Sequence, residues 1–225
     1  MIYDRRFWFA PPYVIVKANE ALQRASTLSS AKRNELEKAA KEARAAAIFL
    51  VGLTDLTGNP FRMQLVDPKD GAPDIRSMVL TESTRSQPDM EYQDLEVVTL
   101  DHHSDEALDE FILRTKLSKK KAYQPDTMVL CFIDKTISGA RPWKYVADAL
   151  AHSDKDLSVY VAGRVEPVDL VYAMARVFPN FDSVRKFNLE DASRAQRMTG
   201  TEFLERGRRR TSPRLPRGDH PPPGV

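Results

Sequence analysis

The stretch Gln93-Asp94-Leu95-Glu96-Val97-Val98-Thr99-Leu100 decides the fold. Its period of two and its β-branched residues predict a strand. Successive strand side chains point to opposite faces, so Leu95, Val97 and Thr99 share one face and Asp94, Glu96, Val98 and Leu100 the other. Upstream, Ile75–Thr81 predicts a second strand, separated from the first by a polar loop at Glu82–Glu91. Before it, Phe61–Val66 alternates like a half-buried strand, between the Asn59-Pro60 break and a DPKDG turn at 67–71.

Farther upstream lies a long amphipathic helix. Ser29 or Ser30 caps it, and Leu36, Ala39, Ala40, Ala43, Ala47 and Leu50 recur at helical spacing on one face. Gly52 reads as its C-terminal stop. Residues 1–28 hold aromatics, Pro11-Pro12 and a shorter helical pattern at Tyr13–Ala25. Downstream, Ser104 caps a helix whose apolar stripe is Leu108, Phe111, Ile112 and Thr115, closed by the cationic run Lys116–Lys121. Thr127–Ile133 is continuously apolar, as in a sheet centre. Trp143–Leu150 reads as a helix, Leu157–Ala162 as a strand, Asp169–Phe178 as a helix, Ser183–Asn188 as a last strand and Leu189–Arg206 as a polar terminal helix. Three strands in a meander followed by alternating helices and strands predict an α/β fold, a mixed central β-sheet flanked by helices.

Composition bounds the rest. The chain has 225 residues, 42% of them hydrophobic and 29% charged, which suits one domain over residues 1–204. No run approaches the roughly 18 apolar residues of a membrane span, and the N-terminus lacks the apolar segment of a secretory signal. The single cysteine, Cys131, excludes an intrachain disulfide and a thiolate zinc ribbon, and a cytoplasmic location is expected. Residues 205–225 carry six Arg, five Pro and almost nothing apolar, so a disordered tail is expected there. The remaining residues are slightly acidic, so any nucleic-acid contact on the folded part has to be a local patch.

The chemistry rests on Pro73-Asp74 at the head of one strand and Glu96-Val97-Val98 on the next. Carboxylate oxygens converging from neighbouring strands can hold Mg²⁺, since same-face neighbours sit only about 5 Å apart. Such an ion activates water and stabilises charge on a phosphate. The bland alternative makes Asp74 a turn cap and puts Glu96 on a solvated sheet face.

In these residues and in their element order, residues 29–163 resemble the PD-(D/E)XK nuclease-like superfamily, the restriction-endonuclease-like fold with its αβββαβ core. The resemblance implies a Mg²⁺- or Mn²⁺-dependent endonuclease acting on DNA. It implies Asp74 and Glu96 as catalytic metal ligands and the Val97 carbonyl as a third. The family's lysine position falls on Val98, which carries no charge. The resemblance is kept if Lys116 on the next helix takes that role, or if the motif is read as Asp94-Leu95-Glu96, with Asp94 a further ligand. Lys119, Lys120, Lys121 and His102 would then contact the nucleic acid. A second reading makes the same scaffold a catalytically degenerate interaction module, a homodimer or a subunit of a larger complex. Asp101-His102-His103 is similar to one motif of the DHH phosphoesterases, but no histidine precedes it to supply their upstream cluster. Walker, GxGxxG, GxSxG and HExxH patterns are absent, which excludes the usual nucleotide, hydrolase and zinc-protease readings.

Overall fold

A computed structural model describes residues 7–66, 73–81, 89–100, 107–115, 123, 126–133, 148, 157–165 and 170–196. Two helices open it, α1 (Pro11–Ala25) and α2 (Ser30–Thr57). Then come β1 (Phe61–Leu65), β2 (Ile75–Thr81), β3 (Asp89–Leu100), α3 (Leu108–Thr115), β4 (Thr127–Ile133), β5 (Leu157–Arg164), β6 (Val171–Phe178) and β7 (Arg185–Asn188). A last helix, α4, occupies 189–196. The seven strands form one mixed sheet in the order β1-β2-β3-β4-β5-β6-β7. β1, β2 and β3 are an antiparallel meander, β3, β4 and β5 run parallel, and β5, β6 and β7 are antiparallel again. The fold is thus a mixed α/β sheet flanked by helices. Among the described residues, no helix is long and apolar enough to cross a membrane.

The alternation in β3 sorts the two cores. Leu95 and Val97 face a cluster built with Phe49 and Leu50 of α2, Met63, Ile75, Met128, Leu130 and Tyr172. Leu100 faces the opposite cluster, with Leu108 and Ile112 of α3, Val129, Cys131, Val159 and Val177. Burying such side chains contributes roughly 1.5–3 kcal/mol each, which is why a chain with one cysteine needs no covalent staple. The N-terminal half of α2 is solvated and carries i,i+4 pairs, Arg33 with Glu37 and Lys38 with Glu42. From Ala45 to Thr54 every residue of α2 is buried, because this half lies between the sheet, α1 and α4. The Gln196 side-chain amide donates to the Val51 carbonyl at 2.9 Å and ties α4 to α2.

Several expected boundaries move. α2 does not stop at Gly52. It runs on to Thr57 and ends at Gly58, which adopts the left-handed conformation (φ 74°) that a helix stop requires. Gly52 is a packing glycine, with Phe187 and Met174 pressed against its Cα hydrogens. The segment read as a helix at 169–178 is strand β6. Its Tyr172 and Met174 enter one core while Ala175 and Val177 enter the other, so apolar residues on both faces erased the period of two. β3 begins at Asp89, inside the stretch read as a polar loop, because Asp89–Tyr92 pair with the end of β2. α1 starts two residues early, with Pro11 and Pro12 in its first turn, where a missing N–H costs nothing. The helix read at 143–150 lies outside the described residues except Asp148. Ser104, the DHH-like triplet at 101–103 and the tail at 205–225 lie wholly outside them.

Cys131 is fully buried between β3 and β5, as its apolar neighbours led one to expect. Burial holds its thiol well above the ordinary value of 9.0. The unfolded chain loses this proton as the pH passes about 9 and the folded chain keeps it, so stability is intact below that point and falls above it. Cys131→Ala is expected to flatten the alkaline decline by up to about 1.4 kcal/mol per pH unit. Urea titrations of both proteins between about pH 8 and 10 would show it. Parallel stability curves would count against this account.

Candidate functional site

The meander brings the two singled-out carboxylates to the same level of the sheet. β2 starts at Ile75, opposite Leu95, which sets Asp74 one step before the strand and level with Glu96. Asp74 Oδ2 accepts the Val97 N–H at 2.8 Å. Here a carboxylate takes over from the backbone carbonyl that a longer β2 would offer. In an antiparallel ladder one residue directs its N–H and its C=O to the same neighbour. Gln93, four residues earlier, sends its carbonyl toward β2, where it accepts from Ser77 Oγ at 3.1 Å. Val97 therefore turns its carbonyl to the side on which Asp74 stands, past the first residue of β2.

Glu96 sits on the face of α3, level with Val129 of β4, and is only 2% exposed. The solvated-face reading of this residue is thus excluded. Removing a carboxylate from water is costly, and such a residue at a sheet centre needs polar company. Asp94, two residues earlier on the same face, has its carboxylate turned toward Arg76 Nε at 3.8 Å, the cross-strand neighbour. Among the described residues no three His, Cys, Asp or Glu side chains come together in a metal-holding group. Val98 packs against the α3-side core beside Cys131. Lys116, Lys119, Lys120, Lys121 and His102 lie outside the described residues.

Tyr123 escaped sequence reasoning. It precedes β4, packs half-buried against the α3-side core, and lies within electrostatic reach of both carboxylates. Burial first, then Glu96 and Asp74, push its phenol above the ordinary 10.0. It therefore stays protonated at neutral pH and is a hydrogen-bond donor here, not a base. A tyrosine in an irregular stretch carries no sequence signal, and only the fold brings it 27 positions back to Glu96.

Alongside this pair, on the same sheet face, a groove of about 400 Å³ runs over Gln64, Arg76, Tyr92 and Asp94. Trp8 from the N-terminal segment and Asp126 from the turn before β4 complete its rim. Asp126 adopts φ 63°, a conformation that Asp tolerates better than most residues. Comparison with family models, with curated proteins and with solved structures finds no match for the chain.

Proposed function

We propose that the chain is a divalent-metal-dependent nuclease of the PD-(D/E)XK-like kind, with Asp74, Glu96 and the Val97 carbonyl as the metal-holding oxygens. The observation that carries this reading is the 2.8 Å bond from the Val97 N–H to Asp74 Oδ2. It draws one carboxylate to the strand that bears the other and leaves a backbone carbonyl turned the same way. The order α2-β1-β2-β3-α3-β4, an antiparallel meander followed by a parallel strand, is compatible with the αβββαβ core. Oxygen ligands of this type suit Mg²⁺ or Mn²⁺.

When bound, the ion supplies the charge that acidifies a water and stabilises the phosphate. The chain's own residues do the rest. Asp74 and Glu96 would supply carboxylate oxygens in a partly dry site, where electrostatic interactions are stronger than in water. Tyr123, still protonated, can donate to a phosphate oxygen. Val98 offers no proton, so the cation usual at that position has to come from elsewhere, and Lys116 remains the proposed source.

Incubation of the full chain with plasmid and with single-stranded DNA in Mg²⁺ or Mn²⁺ tests the reading. Cleavage is expected, together with a calorimetric Mn²⁺ signal that Asp74→Ala removes. DNA of every form left intact would sink the catalytic version. Val98 favours a second reading, a scaffold of the same shape that no longer cleaves and serves as an interaction module. That version predicts no Mn²⁺ heat and a defined oligomer or partner complex in solution. Within the first reading, Tyr123→Phe is expected to lower kcat by about tenfold with metal affinity unchanged, the scale of one hydrogen bond to a charged group. Equal kcat values would remove Tyr123 from the site.

A further inference from the structure

The groove beside the carboxylate pair has a composition that suits one kind of ligand. The Trp8 and Tyr92 rings stand 5.7 Å apart between centroids, tilted by 53°. Tyr92 is 61% exposed, so its ring is not committed to the core. Arg76 reaches into the same space with 55% of its side chain exposed. Its 3.8 Å approach to Asp94 is a loose contact, and exposed pairs of this kind constrain a side chain little. Gln64, Asp94 and Asp126 add hydrogen-bond acceptors at the rim.

Position matters as much as composition. Arg76 follows Asp74 by two residues on β2, and Asp94 precedes Glu96 by two on β3. At about 3.4 Å per residue, the groove begins about 7 Å from the carboxylate pair on the same face. That is the reach of the nucleotide next to a phosphate held at the pair. Charge is nearly balanced, with Arg76 and the neighbouring buried Arg62 of β1 set against Asp94 and Asp126. Among the described residues a duplex backbone would find no cationic track here. A cationic ligand would have to share the space with the Arg76 guanidinium. A flat, neutral ring with hydrogen-bonding edges meets neither obstacle.

We infer that this groove takes one unpaired nucleobase, stacked on the exposed Tyr92 ring with the tilted Trp8 ring against its edge and Arg76 on its phosphate, so that the preferred substrate is single-stranded DNA. This deepens the nuclease reading and rests on it for the identity of the adjoining site. A base within a duplex has both faces occupied by its neighbours and cannot enter. Acceptors at the rim favour a base with an exocyclic amino group, adenine, cytosine or guanine, over thymine. Stacking holds the base and the one contact to its phosphate is Arg76, so this groove should add to the salt dependence only the slope of about one phosphate contact.

Fluorescence anisotropy of end-labelled oligo(dA), oligo(dC), oligo(dT) and a hairpin duplex, all in EDTA, tests the inference. Oligo(dA) and oligo(dC) are expected to bind more tightly than oligo(dT), and at least about tenfold more tightly than the duplex. Tyr92→Ala and Trp8→Ala should each weaken single-strand binding by about 5- to 100-fold, the scale of one stacked base, and Tyr92→Phe should retain it. Circular dichroism would verify that the variants fold, and the exposed position of Tyr92 makes its substitution the safer arm. Duplex binding equal to single-strand binding, or either alanine variant binding like the wild type, would overturn the inference. Oligo(dT) binding as well as oligo(dA) would overturn the base assignment. With the metal chelated, these outcomes are independent of cleavage: a protein that binds single strands but never cuts them loses the nuclease reading and keeps the groove.

Discussion

Glu96→Gln and Asp74→Asn are each expected to lower Mn²⁺-dependent DNA cleavage by at least about a hundredfold, with little change in the folded structure. Both substitutions keep side-chain volume and one carbonyl oxygen, so they separate charge from shape. Asp74 as the amide can still accept the Val97 N–H through its oxygen, and the 2.8 Å contact that aligns it with β3 survives. What disappears is a carboxylate oxygen at the proposed cation site, and loss of a single preorganised electrostatic contact typically costs about 10²–10³ in kcat. Glu96 is the sharper case, because its near-complete burial strengthens every interaction its charge makes. Initial rates on single-stranded DNA across a Mn²⁺ series check the point. Raised Mn²⁺ should partly restore the Asn variant if the defect is affinity. Rates within a few-fold of the wild type would rule out both residues as ligands.

Gly52→Val is expected to cost about 3 kcal/mol of stability, at the upper end of what an overpacked core suffers. A Cβ at this position would lie 2.5 Å from Phe187 Cε1, 2.7 Å from its Cζ and 3.0 Å from Met174 Sδ. Phe187 cannot simply swing aside, since its ring stacks on Tyr172 at 6.0 Å and both belong to the core. Valine adds two more methyl groups to the same crowded place. Alanine is milder, because leaving glycine out of a helix interior returns about 1 kcal/mol. Urea denaturation of Gly52→Val, Phe187→Leu and the double variant makes a cycle. Coupling of at least about 1 kcal/mol is expected, with the smaller ring relieving part of the clash. Strict additivity would show that α2 shifts away from β7 instead.

The same glycine marks where sequence reading succeeds and where it stops. In β2, β3 and β4 the pattern was legible because each strand has a distinct environment. β4 is buried throughout, apolar after Thr127, and lies at the centre of the sheet, while β3 alternates and divides two cores. The neighbouring pairing of β2 and β3, and hence the shared level of Asp74 and Glu96, follows from a short meander. At Gly52 a local rule met a tertiary one. Glycine is a frequent helix terminator, but here it is the price of bringing α2 close to β7. β6 failed for a related reason, since a run apolar in seven of its eight positions, broken only by Arg176 and packed on both sides, fits a buried helix or a central strand equally well. Tyr123 and the Trp8–Tyr92 groove were beyond reach for another reason. Trp8 and Tyr92 are separated by 84 positions, and neither belongs to any motif whose spacing could announce their meeting.

The strictly sequential strand order has a bearing on how the chain assembles. Each strand is laid beside the one made just before it, so the sheet can grow in one direction while the polypeptide is still being synthesised. Its two finished borders are guarded: Phe9 exchanges both backbone hydrogen bonds with Met63 along β1, and short β7 displays Arg185 and Lys186. A chain cut short and released after residue 165 would leave β5 as the border instead, a largely apolar strand charged only at its final Arg164. Such a fragment should self-associate far more readily than the completed chain.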